Sequence, residues 1–145
     1  MKKTTAFLIL LALSRGAAAQ VQVVSRTPYG PIADMNAARS VNATFNRPMA
    51  ALSSAEKMGG ACPLEVLEIK DALTEANYRD FSSAALGDFR ELKPVGGRCR
   101  WQGTQTVSFE PAEPLKSSTL YAARIKKGFA YEAQALEEDA VWFFE

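Results

Sequence analysis

The sequence predicts an all-β protein, an antiparallel sandwich of about seven short strands. Short runs rich in apolar, β-branched and aromatic residues recur along the chain, and clusters of Pro, Gly and Ser separate them. Strict alternation of apolar and polar residues, clearest in Ser40–Phe45, is typical of strands with one buried face. No internal repeat interrupts this pattern, so we expect one sandwich domain over residues 20–145.

Residues 1–19 have the order of a secretory signal peptide. Lys2 and Lys3 precede an apolar run over Ala6–Leu13, and small residues follow. A run of this length is too short for a permanent membrane span. An uncleaved anchor is the alternative, but the small residues argue against it. We therefore expect cleavage before Gln20, a periplasmic or secreted product, and no membrane insertion after cleavage.

The first three expected strands each have a local reason. The run Gln20–Arg26 ends at Thr27–Pro31, where two prolines and a glycine cannot continue a sheet ladder. The run Ser40–Phe45 alternates as a half-buried strand does. The run Leu64–Ile69 is compatible with a strand but does not alternate cleanly, and it follows Pro63, which suits a strand start.

Four further strands are expected in the C-terminal half. Gly103 separates two β-type runs, which predicts a hairpin or a tight corner. The residues that follow Gly103 are rich in β-branched and aromatic side chains. The expected strands are Arg98–Gln102, Thr106–Phe109, Thr119–Ile125 and Val141–Phe144.

Residues 71–93 depart from the strand pattern. The composition of Asp71–Phe81 is compatible with a helix, which predicts a short helical insertion between strands. Burial is needed for Phe81, Leu86, Phe89 and Leu92, so we expect the insertion to pack on an edge or an open end of the sandwich. Two roles stay open for it: a recognition surface, or a cover for an edge strand.

The composition excludes several kinds of site. The chain has no His, which removes Ser-His-Asp and Cys-His catalysis and every zinc site that needs imidazole. The 17 basic and 16 acidic residues nearly balance, without the basic stripe typical of nucleic-acid binding. The carboxylates of Glu65, Glu68, Asp71 and Glu75 do not single out an acid and a base. We expect no enzymatic activity, cofactor, metal or nucleic-acid partner.

The two cysteines, Cys62 and Cys99, are expected to form a disulfide. An even cysteine count in an exported protein favours pairing. Two reduced, buried thiols are the alternative. Neither residue lies in a Cys-x-x-Cys pair, so nothing beside them indicates catalysis.

Four motifs carry a resemblance to a known family. They are Val41–Met49, Trp101–Pro111, Pro114–Tyr121 and Val141–Glu145. Together they resemble bacterial Ig-like domains, and most closely the macroglobulin-like β-sandwich domain in the N-terminal region of bacterial alpha-2-macroglobulins. The resemblance covers Val23–Glu145 apart from the insertion, and it implies an Ig-like, macroglobulin-type sandwich.

The resemblance also implies roles for individual side chains. Large aromatic residues would fill the core between the sheets, and prolines would end the strands. The hydroxyl of Tyr121 would bond to upstream backbone, as in a tyrosine corner. The implied core and corner residues are Phe45, Pro48, Met49, Trp101, Phe109, Pro111, Leu115 and Tyr121.

Family members of this kind trap proteases with a bait region and an internal thioester in a Cys-x-x-Gln setting. Cys99–Gln102 has that spacing but lies in an expected strand, so the trapping mechanism is not carried over. We expect a non-catalytic exported module of a bacterial envelope protein, for example the N-terminal part of an alpha-2-macroglobulin-like protease inhibitor, with a protein partner. The alternative is a stand-alone secreted ligand-binding or adhesion protein that uses residues 71–93 for recognition.

Overall fold

A computed structural model of the chain describes residues 20–52, 62–70, Leu86 and 91–145. The expected signal peptide, residues 1–19, lies outside these ranges, as does most of the expected helical insertion at 71–93. Within the described ranges, Met35–Ala38 forms a short 3₁₀ helix, and the Asp34 side chain caps its N-terminus.

The described residues form ten strands. In chain order these are β1 (Val23–Thr27), β2 (Val41–Phe45), β3 (Leu64–Ile69), β4 (Leu92–Pro94), β5 (Gly97–Gln102), β6 (Thr106–Pro111), β7 (Tyr121–Ile125), β8 (Ala130–Tyr131), β9 (Gln134–Ala135) and β10 (Ala140–Phe144).

Each of the seven expected runs overlaps a strand, but the described residues form ten strands and not seven. The three strands that the sequence did not indicate, β4, β8 and β9, are three, two and two residues long. Such segments are too short to show a periodicity of two. The expected C-terminal bound of the insertion, Lys93, is also wrong, because Leu92 and Lys93 belong to β4.

The strands form two four-stranded sheets and a small hairpin. The first sheet has the order β1-β2-β6-β5, the second has the order β10-β7-β3-β4, and β8 pairs with β9. Every pairing between these strands is antiparallel. The all-β antiparallel class is thus confirmed.

The main core lies between the two sheets. Val41, Ala43 and Phe45 of β2 point into it from the first sheet, while the intervening polar residues are only partly buried. The second sheet contributes Val66 of β3 and the fully buried Trp142 of β10. Burial of these apolar side chains from both inner faces stabilises the sandwich.

The chain passes from one sheet to the other directly after β1. Beyond the cis peptide bond between Thr27 and Pro28, Gly30 forms a parallel bridge with Phe144 of β10. The Gly30 amide donates to the Phe143 carbonyl at 2.9 Å, and the Glu145 amide donates to the Gly30 carbonyl at 3.1 Å. Gly30 has a φ of 68°, a left-handed conformation that glycine adopts without steric cost.

Candidate interaction surface

One end of the sandwich gathers three connections of the described chain. At this end β1 and β6 finish and β2 and β7 begin, as the pairing registers require. Residues 28–40, 95–96 and 112–120 therefore lie together there. We call this region the loop end of the sandwich. Two cavities open at it, one that contains an ion pair and one that is mainly apolar, and residues 112–115 line both of them.

The cavity with the ion pair has a volume of about 310 Å³, and Glu68 and Lys116 are among the residues that line it. Lys116 Nζ lies 2.8 Å from Oε1 and 3.1 Å from Oε2 of Glu68, so one ammonium group bonds both carboxylate oxygens. Lys93 and Tyr121 also line the cavity. The pair joins β3 to residues 112–120 across 48 positions of sequence.

The ion pair stays charged at neutral pH. The hydrogen bond from Lys116 lowers the pKa of Glu68, and the nearby charges of Lys93 and Lys70 lower it further. The hydrogen bond to Glu68 in turn raises the pKa of Lys116. Both shifts move titration away from neutrality, so the two groups keep their opposite charges across the neutral range.

Tyr121 fixes the start of β7 at the loop end. Its hydroxyl accepts a hydrogen bond from the backbone amide of Lys116 at 2.9 Å, which is the upstream contact that a tyrosine corner makes. Its ring stacks on Phe144 with a centroid separation of 5.5 Å. These two contacts tie Lys116 to the first residue of β7 and Tyr121 to the last residue of β10.

The apolar cavity has a volume of about 400 Å³ and lies beside residues 112–115. Met35, Ala38, Pro111, Pro114 and Leu115 line its apolar part. Met35 leaves 43% of its surface exposed, although it is a large apolar side chain. An exposed Met beside a concave apolar wall is typical of a surface that binds a protein segment.

Tyr29 adds an exposed aromatic ring to the loop end. It precedes Gly30, which bonds to the end of β10, and 50% of its surface is exposed. Tyr and Met are both enriched in protein interfaces. The loop end thus combines exposed apolar and aromatic side chains with a charged neighbour, the Glu68–Lys116 pair.

Most of the side chains expected in the core are buried there. Phe45 and Trp101 stack at a centroid separation of 6.0 Å, and both rings lie near Phe129. The described residues expected in the core and found buried are Phe45, Met49, Trp101, Phe109, Leu115 and Tyr121.

The two prolines of the expected set, Pro48 and Pro111, are not buried in this way. Pro48 is exposed, so its placement in the core is wrong. It lies beyond the end of β2, and the next residue, Met49, turns inward and donates its amide to the Thr104 carbonyl at 2.7 Å. Pro111 is half-buried, ends β6 and lines the apolar cavity. Pro111, Leu115 and Tyr121 are therefore the expected residues that border the loop end.

The disulfide between Cys62 and Cys99 is confirmed. It joins the residue just before Pro63 and β3 in one sheet to the third residue of β5 in the other, with the Cα atoms 5.3 Å apart. The bridge spans a sequence separation of 37. It links the two sheets beside the edge strands β4 and β5, which do not pair with each other.

Two further observations concern metals and membranes. In the parts of the chain that the structure describes, no group of three or more Cys, Asp or Glu side chains is placed to hold a metal ion. No helix among these same residues has both the length and the apolar character needed to span a bilayer.

Sequence reasoning did not find the residues that shape the loop end. Glu68 and Lys116 form a pair only because β3 and residues 112–120 meet in the fold. The exposure of Tyr29 and Met35 follows from the path between the sheets. The only signal in the sequence was the break at Thr27–Pro31, which marks a connection but not its surroundings.

Comparisons of the chain with protein-family models, with curated proteins and with solved structures find no match. The function is therefore argued from the residues themselves.

Proposed function

We propose that this chain is an exported Ig-like module without catalytic activity, which binds a protein partner at the loop end. The strand order of the two sheets and the hydrogen bond of Tyr121 support the Ig-like assignment, and the exposed Met35 beside the apolar cavity carries the binding surface. The setting we propose is a bacterial envelope protein, such as the N-terminal part of an alpha-2-macroglobulin-like protease inhibitor. That setting rests on the motif resemblance alone.

The strand order supports the Ig-like assignment. An Ig domain of the constant type has strands A, B, E and D in one sheet and C, F and G in the other. When the strands of this chain are lettered in the same way, A, B, E and D correspond to β1, β2, β6 and β5 of the first sheet. Strands C, F and G correspond to β3, β7 and β10 of the second sheet, and β4 is an additional strand beside β3. Tyr121 then begins strand F, where a tyrosine corner is found in Ig domains.

The disulfide distinguishes this module from antibody domains. In antibody domains the bridge joins strands B and F, which correspond here to β2 and β7. Here Cys62 and Cys99 join the start of β3 to β5 instead. A bridge at the edge supports a secreted module that lacks the antibody pattern.

The ionisable groups support a binding role over acid-base chemistry. Three carboxyl groups of the described residues have a shifted pKa, and all three shifts are downward. The hydrogen bond from Arg98 lowers the pKa of Glu110. Partial burial opposes the shift of Glu65, but the hydrogen bonds from Arg124 and Lys126 outweigh it. These groups and Glu68 are therefore ionised partners of cations and not acids poised near neutrality.

Two steps test the proposal. First, the full chain is expressed with its leader in a Gram-negative host, and the product is recovered from the periplasm. We expect an N-terminus at Gln20 and an oxidised Cys62–Cys99 pair. Second, a photo-crosslinking amino acid replaces Met35 or Tyr29, and a matched control replaces Leu52, which is 81% exposed and follows the opposite end of β2.

The crosslinked protein is then identified, purified and titrated against the variants. We expect Met35→Asp to weaken its binding at least about tenfold, which corresponds to about 1.4 kcal/mol, and Leu52→Asp to leave it unchanged. The assignment of the surface is contradicted if crosslinking from Leu52 is as strong as from Met35 or Tyr29. It is also contradicted if Met35→Asp leaves the affinity for the partner unchanged. Robust hydrolysis of a small-substrate panel by the pure protein contradicts the non-catalytic role.

A further inference from the structure

Strand β5 lies at an edge of the first sheet, beside β6. The amide of Ala112 donates to the carbonyl of Gly96 at 2.8 Å, which fixes the phase of the β5–β6 ladder. Since bonded residues alternate in an antiparallel ladder, the even-numbered residues of β5 exchange hydrogen bonds with β6. The N–H and C=O groups of Gly97 and Cys99 therefore point away from β6. Within the described ranges, no strand pairs with β5 on that side.

This edge is accessible over the first part of β5. Gly97 is exposed and Cys99 is half-buried, whereas Trp101 is buried and stacks on Phe45. The register with β6 runs without a shift along the whole strand. Cys99 is also fastened to the other sheet by its disulfide, and Trp101 anchors the strand in the core. The start of β5 thus presents a short, regular row of main-chain donors and acceptors.

The other three sheet edges of the described chain are interrupted or partly paired. In β1 the register shifts between Val23 and Ser25, which marks a β-bulge. Strand β4 has three residues and ends with Pro94, which has no N–H. Beside β10, the Gly30 amide donates to the Phe143 carbonyl at 2.9 Å. Such features hinder the addition of another strand, and β5 has neither a bulge nor a proline nor a paired neighbour at its edge.

The side chains beside this edge are cationic. Arg98 and Arg100 point to the outer face of the first sheet, where both bind the carboxylate of Glu110. Their side chains are nevertheless 81% and 59% exposed. One carboxylate balances one of the two positive charges. A guanidinium group has five N–H donors, and Glu110 bonds Nε and one terminal nitrogen of Arg98, so donors remain for a second carboxylate.

The inner side of the same edge is apolar. Side chains alternate across a strand, so in a strand added to β5 the residue between two outward ones points between the sheets. A cavity of about 260 Å³ lies on this side, and Val66, Pro94, Val95 and Phe109 are among the residues that line it. Phe109 lies directly opposite Cys99 in the register of β5 and β6. An apolar side chain therefore suits this position of an added strand.

We propose that the edge of β5 over Gly97–Arg100 binds an extended segment of a protein partner in which two carboxylate side chains flank an apolar one. The main chain of the segment extends the first sheet through hydrogen bonds to Gly97 and Cys99. Its carboxylates pair with Arg98 and Arg100 on the outer face, and its apolar side chain enters the cavity between the sheets.

This inference does not rest on the proposed loop-end site. The edge runs along the side of the sandwich, and its test uses peptides of defined sequence rather than the partner captured by crosslinking from Met35 or Tyr29. Either proposal therefore fails or stands without the other.

Isothermal titration calorimetry of the mature chain with synthetic peptides tests the proposal. The probe is a short peptide of alternating Glu and Val, and the matched control has Lys in place of every Glu. We expect the acidic probe to bind and the basic control not to bind. Replacing both guanidinium groups, by Arg98→Gln and Arg100→Gln together, should weaken binding at least about tenfold. Arg26→Gln, an exposed position on the opposite edge of the same sheet, should leave it unchanged.

N-methylated probes separate strand addition from ion pairing alone. Alternate amides of an added strand face β5, and the intervening amides face away from it. One probe carries the methyl groups on its Val residues and another carries them on its Glu residues. We expect one of the two to lose binding and the other to keep it.

Four outcomes overturn the proposal. The acidic probe fails to bind at about 1 mM. The arginine variant binds the probe as the wild type does. Both methylated probes bind equally, or both fail. Chemical crosslinking joins residues 97–102 of two copies of the mature chain, which shows that a second copy occupies the edge. Should the double variant fail to fold, Arg98→Gln and Arg100→Gln are compared singly, since each leaves one arginine bound to Glu110.

Discussion

Replacing Cys62 and Cys99 together by serine removes the covalent link between the two sheets. The bridge closes a loop with a sequence separation of 37. In the chain-entropy model a closed loop of this length lowers the entropy of the unfolded state enough to stabilise the fold by about 4 kcal/mol. Both cysteines are only half-buried, so the exchange of sulfur for oxygen adds little to that loss.

Urea denaturation followed by tryptophan fluorescence measures the effect, because Trp101 and Trp142 are both buried in the core. With a urea dependence of about 2 kcal/mol per molar, a loss of about 4 kcal/mol lowers the midpoint by about 2 M. Wild-type protein unfolded in the presence of a reductant is the control, and it should share the lowered midpoint. A loss below about 1 kcal/mol in both measurements refutes the reasoning, since the bridge would then not restrain the unfolded chain.

Three other predictions concern the loop end and the first sheet. Tyr121→Phe removes the hydrogen bond to the Lys116 amide and should cost about 1 kcal/mol in urea denaturation; an unchanged midpoint contradicts the corner role. Gly97→Ala should cost about 1–3 kcal/mol, because the added Cβ would overlap the Phe109 ring, and a stable variant with native fluorescence contradicts this packing. Lys116→Met should raise the pKa of Glu68 toward 4.5, and an NMR titration of the Glu68 carboxyl group measures this change. Because that pKa is lowered on folding, the stabilisation is present above the unfolded value and is lost as pH falls through the folded value.

The sequence predicted those parts of the fold that depend on local periodicity. The alternation in β2 and the β-branched run in β6 are visible without the structure, and both strands appear where they were expected. Strands β8 and β9 have two residues each and exist because they pair with each other. No local pattern marks such a strand, since its stability comes from the pairing and the packing around it.

The candidate site was predictable only in part. The disulfide followed from cysteine count and compartment, and the bond of Tyr121 followed from a motif. The contact of Glu68 with Lys116 depends on how β3 meets a distant connection, which no spacing in the sequence encodes. Pro48 was misplaced for a similar reason. A proline after a strand shows that the strand stops, but not which side of the turn faces the core.

The irregular pattern of β3 carries information about the burial of both faces of its sheet. A strand with one wet face alternates, as β2 does, because water selects polar residues on the outer side. In β3, Leu64 and Val66 face the inner core, while Leu67 and Ile69 face outward into the second apolar cluster. A strand that is buried on both faces therefore loses its alternation. The broken periodicity of Leu64–Ile69 is thus the mark that burial on both faces of a strand leaves in the sequence.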